Sequence, residues 1–515
     1  MVWWRRPALW AAMSAIAVLI GNLRGIAVGD DGVGYQAIAD SLLAGEGLGY
    51  FLERPLTIWP PGWPALMAAV AKVTPLDTVQ AAVLLNMITA AVVVLLLHAI
   101  LSRLTRHELP RFAGMAVTAV GASSMIFGHL LMTDFAFAAI TLGLFLVMFR
   151  YRDTGSFVWL AAAAALVWAG FLTRYAGVVH IGTVGLWVLA DRRTALSKRV
   201  VHGIGFGVAA AVLPAAWVAR NIDADGTTLG ERYSSARGLI HNIYDTAATI
   251  GNFLSPAIES ERRGLWILVG AAGSAVVVAM LWRAVRADTR FRSARGLLDV
   301  VASPVGLVAL HVAVYAAYML YARTTTGLNQ LDFRLLNPIY LPLVICALVV
   351  ADRLLALPDT PENSLWSRAA RYCVVAWAVL NVVVGIGMVG FFTTDPALFP
   401  GNYERDEFEV VRESPALDAI PADCPTVSNL PNALYGSGVD ARWSWRHTGL
   451  ESNDVVDDLD QLIAGTEAGT RYCLVWISLD PTYGHLVTLD ELGDLVTLRP
   501  LASGTHVDVY EVTAR

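Results

Sequence analysis

Residues 7–32 read PALWAAMSAIAVLIGNLRGIAVGDDG, an apolar run of 22 positions from Pro7 to Val28 that ends on two adjacent carboxylates, Asp30 and Asp31. At about 1.5 Å per residue the run spans about 33 Å, the depth of a bilayer's hydrocarbon core. Trp3, Trp4, Arg5 and Arg6 precede it. A basic start before an apolar run also describes a secretory leader. This run is longer than a leader's core, lacks a small-residue cleavage site and opens a series of further apolar stretches, so it reads as an anchor.

Those stretches fall at roughly 78–102, 112–132, 135–149, 156–172, 176–190, 200–219, 264–282, 297–321, 335–351 and 369–392, giving about eleven spans in all. Composition agrees. Of 515 residues, 56% are apolar and 16% charged, with a mean hydropathy of +0.55. A soluble domain carries about 25% charged residues, so a soluble globular enzyme, a disordered chain and a basic nucleic-acid binder are excluded. The net charge of −6 hides a segregation. With the amino terminus in the cytoplasm, the short cytoplasmic loops hold nineteen Lys and Arg against eleven in the longer outer loops. This is the positive-inside bias, and an odd number of spans then places the carboxyl-terminal tail outside the cytoplasmic membrane.

The sequence therefore predicts a mainly α, polytopic membrane bundle over residues 1–392 and a small extracytoplasmic α/β domain over 393–515. The tail carries 21 acidic and 7 basic residues. It reads as strands at Thr426–Ser428, Tyr472–Ile477, Val496–Leu498 and His506–Val512, with helices near Val455–Ala464 and Leu486–Leu492. Cys424 and Cys473 can pair there, while Cys346 and Cys373 lie in spans and read as packing residues. Two outer loops are long, Gly29 to about Asp77 and Asn221 to about Arg263. In the first, Tyr35, Ile38, Ala39, Leu42 and Leu43 fall at helical spacing, and Trp59-Pro60-Pro61-Gly62-Trp63-Pro64 reads as a rigid turn.

Chemistry-bearing residues gather on the outer face. Adjacent carboxylates at a membrane edge raise one another's proton affinity, which suits Asp30 or Asp31 to general-base work; a polar helix stop is the bland alternative. Asp134 follows the third span and also reads as a plain loop acid. Arg174, beside Tyr175 in the hairpin between spans five and six, and Arg334, at the start of span ten, run against the positive-inside bias, so each asks for a partner. A phosphate fits guanidinium geometry, and so does an ion pair. Arg232 and Arg237 in the second outer loop are weaker candidates. His129, His180 and His311 are scattered and read as structural. The sequence shows no Gly-rich phosphate loop, HExxH or Ser/His/Asp cluster.

The order of these features is more specific than any one of them. Asp30-Asp31, Tyr35, the Pro60-Pro61 turn, Thr133-Asp134, Thr173-Arg174-Tyr175 and Arg334-Leu335-Leu336-Asn337-Pro338 together resemble the GT-C membrane glycosyltransferases that use polyprenyl-phosphate sugars. The nearest branch is the bacterial family 39-like group, with protein O-mannosyltransferases and the lipid A aminoarabinose transferase; Asp-Asp-Gly is also similar to the mycobacterial arabinosyltransferases. The resemblance covers about residues 1–392. It implies Asp30 as catalytic base with Asp31 and Asp134 in support, and Tyr35, Tyr175 and the outer arginines on the substrate side. Val33 and Trp59 stand where some relatives carry basic residues, so the donor phosphate must find other cations.

The implied partners are a polyprenyl-phosphate sugar donor, an envelope glycan, lipid or protein acceptor, and membrane lipids, with no nucleic acid. No metal or cofactor is required, with room left for a divalent cation near Asp30 and Asp134. The rival readings are a multi-span lipid or sugar transporter or flippase without transferase activity, and an inactive glycan-binding scaffold. A transporter would show paired repeats and broken helices at mid-membrane. No internal repeat is visible in the sequence.

Overall fold

The computed structural model describes residues 6–50, 52, 55–254, 263–358, 360–394, 402–479 and 483–515. Trp3, Trp4 and Arg5 lie outside the described residues. Helices α1 (Pro7–Gly21), α2 (Asp30–Ala44), α3 (Gly62–Val73), α4 (Thr78–Leu104), α5 (Glu108–Val120), α6 (Ala122–Gly128), α7 (Asp134–Thr154) and α8 (Phe157–Thr173) come first. They are followed by α9 (Val179–Ala190), α10 (Leu196–Asp225), α11 (Leu239–Leu254), α12 (Arg263–Ala287), α13 (Ala294–Val301), α14 (Pro304–Thr325), α15 (Phe333–Leu355) and α16 (Pro361–Thr394). Among the described residues seven helices are long and apolar enough to cross a membrane: α4, α7, α10, α12, α14, α15 and α16. The shorter apolar helices α1, α8 and α9 stand at three further expected spans.

Every expected span finds a helix, with three local differences, one being that the stretch expected over 297–321 divides at Ala302–Ser303 between α13 and α14. The stretch expected as one span over 112–132 breaks at Gly121 into α5 and α6. A Cβ on Gly121 would lie 2.3 Å from the Val117 carbonyl oxygen, so the chain turns sharply there. The expected turn at Trp59–Pro64 is half a turn and half a helix. Pro61 caps α3, which continues through Val73 because Gly62 is small enough to sit against the α8 backbone, 2.5 Å from the Leu172 carbonyl oxygen by its ideal Cβ.

Helix starts follow local chemistry. Asp77 and Gln80 form a reciprocal capping box on α4, and the Asp332 carboxylate accepts from the Arg334 and Leu335 amides at the start of α15. In the bundle, α1 packs on α4, α4 on α7, α7 on α8, and α14 on α15. Its centre is closed by large buried side chains such as Trp63, Phe145 and Trp187. Residue 27 then stitches two loops together. Ala27 N–H donates to the His129 carbonyl (2.8 Å), and Leu131 N–H donates to the Ala27 carbonyl (2.9 Å). That short bridge sets the loop leading into α2 beside the loop leading into α7.

The tail forms α17 (Asp406–Arg412), β1 (Thr426–Ser428), β2 (Ala441–Trp443), α18 (Asp458–Glu467), β3 (Tyr472–Ile477), α19 (Leu489–Leu495), β4 (Thr497–Gly504) and β5 (Val507–Thr513). The sheet order is β2-β1-β3-β5-β4, with β1 parallel to β2 and β3 and the remaining pairs antiparallel. The strand at Ala441–Trp443 is not among the strands expected from the sequence. Cys424 and Cys473 are disulfide-bonded, joining the chain before β1 to β3. The tail is fastened to the membrane part at Val28, whose N–H donates to Asn402 Oδ1 (2.9 Å) and whose carbonyl accepts from Tyr403 N–H (2.8 Å).

Candidate active site

Helix α2 begins at the acidic pair. Gly29 is its N-cap, and Asp30 and Asp31 occupy the first turn, where free N–H groups and the helix dipole favour negative charge. Successive helix positions project about 100° apart, so the two carboxylates face different neighbours. Asp31 faces a cavity of about 490 Å³, while Asp30 faces the tail domain.

The cavity is walled by α2, the Ile58–Pro60 loop, the α8–α9 hairpin, α14 and the start of α15. Three arginines reach it: Arg174, Arg232 and Arg334. Arg334 Nη1 lies 2.9 Å from Asp31 Oδ2, and Arg174 Nη1 lies 2.9 Å from Asp134 Oδ1. Asn337 Nδ2 donates to the same Asp134 oxygen at 3.1 Å. Asp134 does not line the large cavity. It lies beneath Arg174, and its Oδ2 has no hydrogen-bond partner among the described residues. That oxygen borders a second space of about 20 Å³ beside Ser123 and Tyr340, room for about one water.

Tyr35 is buried on α2 and contacts Trp59 with ring centroids 5.9 Å apart. Burial and the neighbouring Asp31 push its phenol well above the ordinary tyrosine value, so it stays a hydrogen-bond donor. Tyr175 also borders the cavity, with its hydroxyl committed elsewhere. It donates to the Thr57 carbonyl (2.6 Å) and accepts from Trp217 Nε1 (2.9 Å), tying the first outer loop to α10.

Asp30 is the most heavily bonded of the acids. Its Oδ1 accepts from Tyr403 Oη and Asn432 Nδ2, both at 2.7 Å, and its Oδ2 accepts from Tyr483 Oη at 2.5 Å. All three donors belong to the tail. Burial first, then the Asp30 charge, raises both phenols far above their ordinary value, so both remain protonated donors.

The structure brings Asp31, Tyr35, Arg174, Tyr175, Arg232 and Arg334 to one cavity, with Asp30 and Asp134 on its margins. Arg237 is exposed and does not line the cavity; its N–H donates to Ser235 Oγ and its carbonyl accepts from Asn242 Nδ2. The two Asp30 oxygens and Asp134 Oδ1 accept from phenol, amide and guanidinium donors, while Asp134 Oδ2 is left without a partner among the described residues. Among the described residues no group of three or more His, Cys, Asp or Glu could hold a metal ion. Tyr315 and Tyr318 on α14, and Tyr403, Asn432 and Tyr483 in the tail, are absent from the sequence reading. Each lies hundreds of positions from the acidic pair in a stretch with no motif.

No family model matches the chain, and no curated protein matches it. Among solved structures, ArnT from Cupriavidus metallidurans in its apo state is similar with a TM-score of 0.57 at 14% identity, covering 98% of this chain and 97% of that one. ArnT bound to undecaprenyl phosphate gives a TM-score of 0.55 at the same identity and coverage. At 14% identity over nearly the full length of both chains, what is shared is the fold, and that fold is the GT-C architecture of polytopic membrane proteins, a helical bundle followed by a carboxyl-terminal α/β domain.

Proposed function

We propose that the chain is an inverting membrane glycosyltransferase that moves a sugar from a polyprenyl-phosphate donor to a hydroxyl of an envelope glycan, lipid or protein. The observation that carries this reading is the cavity of about 490 Å³ that gathers Arg174, Arg232 and Arg334 beside an adjacent acid pair at the end of an apolar bundle. The ArnT structure that holds undecaprenyl phosphate has the same fold, which supports a polyprenyl-phosphate ligand here.

The chemistry follows from the charges. The acceptor oxygen attacks the anomeric carbon as its proton passes to Asp30. The bond from that carbon to the phosphate oxygen breaks, and the electron pair leaves with the phosphate. Negative charge develops on the phosphate, where planar guanidinium groups hold two oxygens at once. Asp134 keeps Arg174 aimed and ionised from beneath, and Asp31 does the same for Arg334. Asp30 is the acid on the acceptor side because it alone of the pair faces the tail domain. Direct displacement inverts the anomeric centre.

The test uses the full chain in lipid nanodiscs with undecaprenyl- and decaprenyl-phosphate-linked mannose, glucose and arabinose, and envelope extract as acceptor source. Transfer from at least one donor is expected, and Asp30→Asn should lower kcat by about a hundredfold or more with KM for the donor little changed. Asp31→Asn should be milder. Full activity in Asp30→Asn would remove that residue from the role of base.

A further inference from the structure

We propose that Tyr483 is an acceptor placeholder: its hydroxyl occupies the site on Asp30 that the acceptor's attacking hydroxyl must take, and it denies that site to water until the acceptor arrives. This rests on the glycosyltransferase reading and adds to it a residue that sets transfer against hydrolysis.

The argument starts from the two oxygens of Asp30. Oδ1 already accepts two hydrogen bonds, from Tyr403 and Asn432. Oδ2 accepts one among the described residues, from Tyr483. A carboxylate oxygen offers about two lone-pair positions, so Oδ1 is filled and Oδ2 is the oxygen available to take a proton. Tyr483 is what stands on it.

The three donors are not held alike. Tyr403 is fixed on both sides: its ring is 1% exposed, its N–H donates to the Val28 carbonyl, and its carbonyl accepts from Arg412 Nη1 at 2.7 Å. Asn432 is buried in a 3-10 turn, Pro431–Leu434. Tyr483 is part-exposed outside the strands and helices; its ring meets Trp443 (5.3 Å) and His485 (5.8 Å) edge-on, and besides Asp30 its hydroxyl meets that of Tyr403. Rotation about its side-chain torsions frees Oδ2 without disturbing the sheet, whereas moving Tyr403 or Asn432 undoes the attachment of the tail.

The same contact explains how an enzyme with a water-exposed base could keep its donor. Without Tyr483, a water on Oδ2 would attack the anomeric carbon: the water oxygen bonds to carbon, the carbon–phosphate oxygen bond breaks, the proton goes to Asp30, and free sugar and polyprenyl phosphate result. A phenol on Oδ2 hydrogen-bonds like a sugar hydroxyl, yet its oxygen is carried on a ring too bulky to approach the donor. An acceptor that binds well enough displaces it.

Tyr483→Phe removes the hydroxyl and keeps the ring. With the donor that the wild type turns over, acceptor-free hydrolysis should rise about tenfold relative to transfer, and KM for the acceptor should fall because nothing is displaced. A purely structural tyrosine would lower transfer and melting temperature together and leave the hydrolysis-to-transfer ratio alone, which overturns the proposal. Tyr435→Phe is the control, since Tyr435 bridges the tail to Asp40 (2.6 Å) away from Asp30. A wild type that turns over no donor would count against the glycosyltransferase reading, and a second arm then decides on Tyr483 alone. Carbodiimide with glycine ethyl ester, read by mass spectrometry on the full chain, should label Asp30 several-fold more in Tyr483→Ala than in the wild type or in Tyr435→Phe. Equal labelling in a Tyr483→Ala protein that melts like the wild type overturns the placeholder.

Discussion

Arg174 and Asp134 meet at 2.9 Å with the carboxylate side chain 1% exposed, so neither can be removed without stranding the other. Breaking a buried pair by deleting one partner costs about 3 kcal/mol or more. Asp134→Ala should therefore lower the melting temperature of the purified chain and weaken undecaprenyl phosphate binding together. Arg334 is different. Its pair with Asp31 is part-exposed on both sides, 22% and 27%, so the ion pair adds little stability. Arg334→Lys keeps the charge and loses the planar fork. We expect transfer to drop about tenfold, roughly 1.4 kcal/mol of transition-state stabilisation, with the melting temperature unchanged. A melting shift without a change in turnover per folded molecule would make Arg334 a structural residue.

At the scale of elements, α2 and the Trp59 loop set the shape of the cavity. An ideal Cβ on Gly34 would fall 2.4 Å from the Trp59 ring, and Trp59 is part of the cavity wall. Gly34→Ala must push that indole aside. Helix α2 itself gains from alanine, so the expected result is a folded protein with weaker undecaprenyl phosphate binding, measured by thermal shift across a ligand series. A second element-level expectation concerns α19, whose capping box pairs Thr488 with Glu491. The Thr488 N–H and hydroxyl, with His447 beside them, hold the Glu491 carboxyl at about 2, below its ordinary 4.5. A carboxyl depressed in the folded state stabilises above its unfolded pKa, and that contribution is lost as pH falls from about 4.5 to about 2. Glu491→Gln should flatten this acid limb of the tail's unfolding curve; an unchanged limb would show that the box does not form.

For the whole molecule, the tail domain is the decisive part. The Cys424–Cys473 disulfide closes 49 residues of chain and belongs to an oxidising compartment. Together with the positive-inside bias it supports our reading that the tail lies outside the cytoplasmic membrane. Protease added to intact spheroplasts should then remove residues beyond the last span; cleavage confined to inverted vesicles would reverse the orientation. Cys424→Ser should cost the tail about 2–4 kcal/mol, seen as a lower unfolding midpoint. Because Tyr403 and Asn432 bring the tail onto Asp30, loss of the disulfide should also lower transfer, whereas a tail acting as a separate glycan-binding module would leave turnover intact.

Hydrophobic run length and charge bias are local properties, and they are enough to read the helical bundle. The helix over Tyr35–Leu42 and the strands Thr426–Ser428 and Tyr472–Ile477 follow from period and propensity in the same way. What no local signal carries is which groups meet across hundreds of residues. The sequence reading left Arg174 and Arg334 open between phosphate and ion pair; packing gave Arg174 to Asp134 and Arg334 to Asp31 while leaving both guanidinium groups at one cavity. Arg237 is not among the residues that line that cavity. Above all, the adjacent acids are equivalent as sequence and opposite in space. A helix starting at Asp30 sends its carboxylate to Tyr403, Asn432 and Tyr483 and the next one to the cavity, and that division depends on a tail domain docked at Val28, a contact between residues some 370 positions apart.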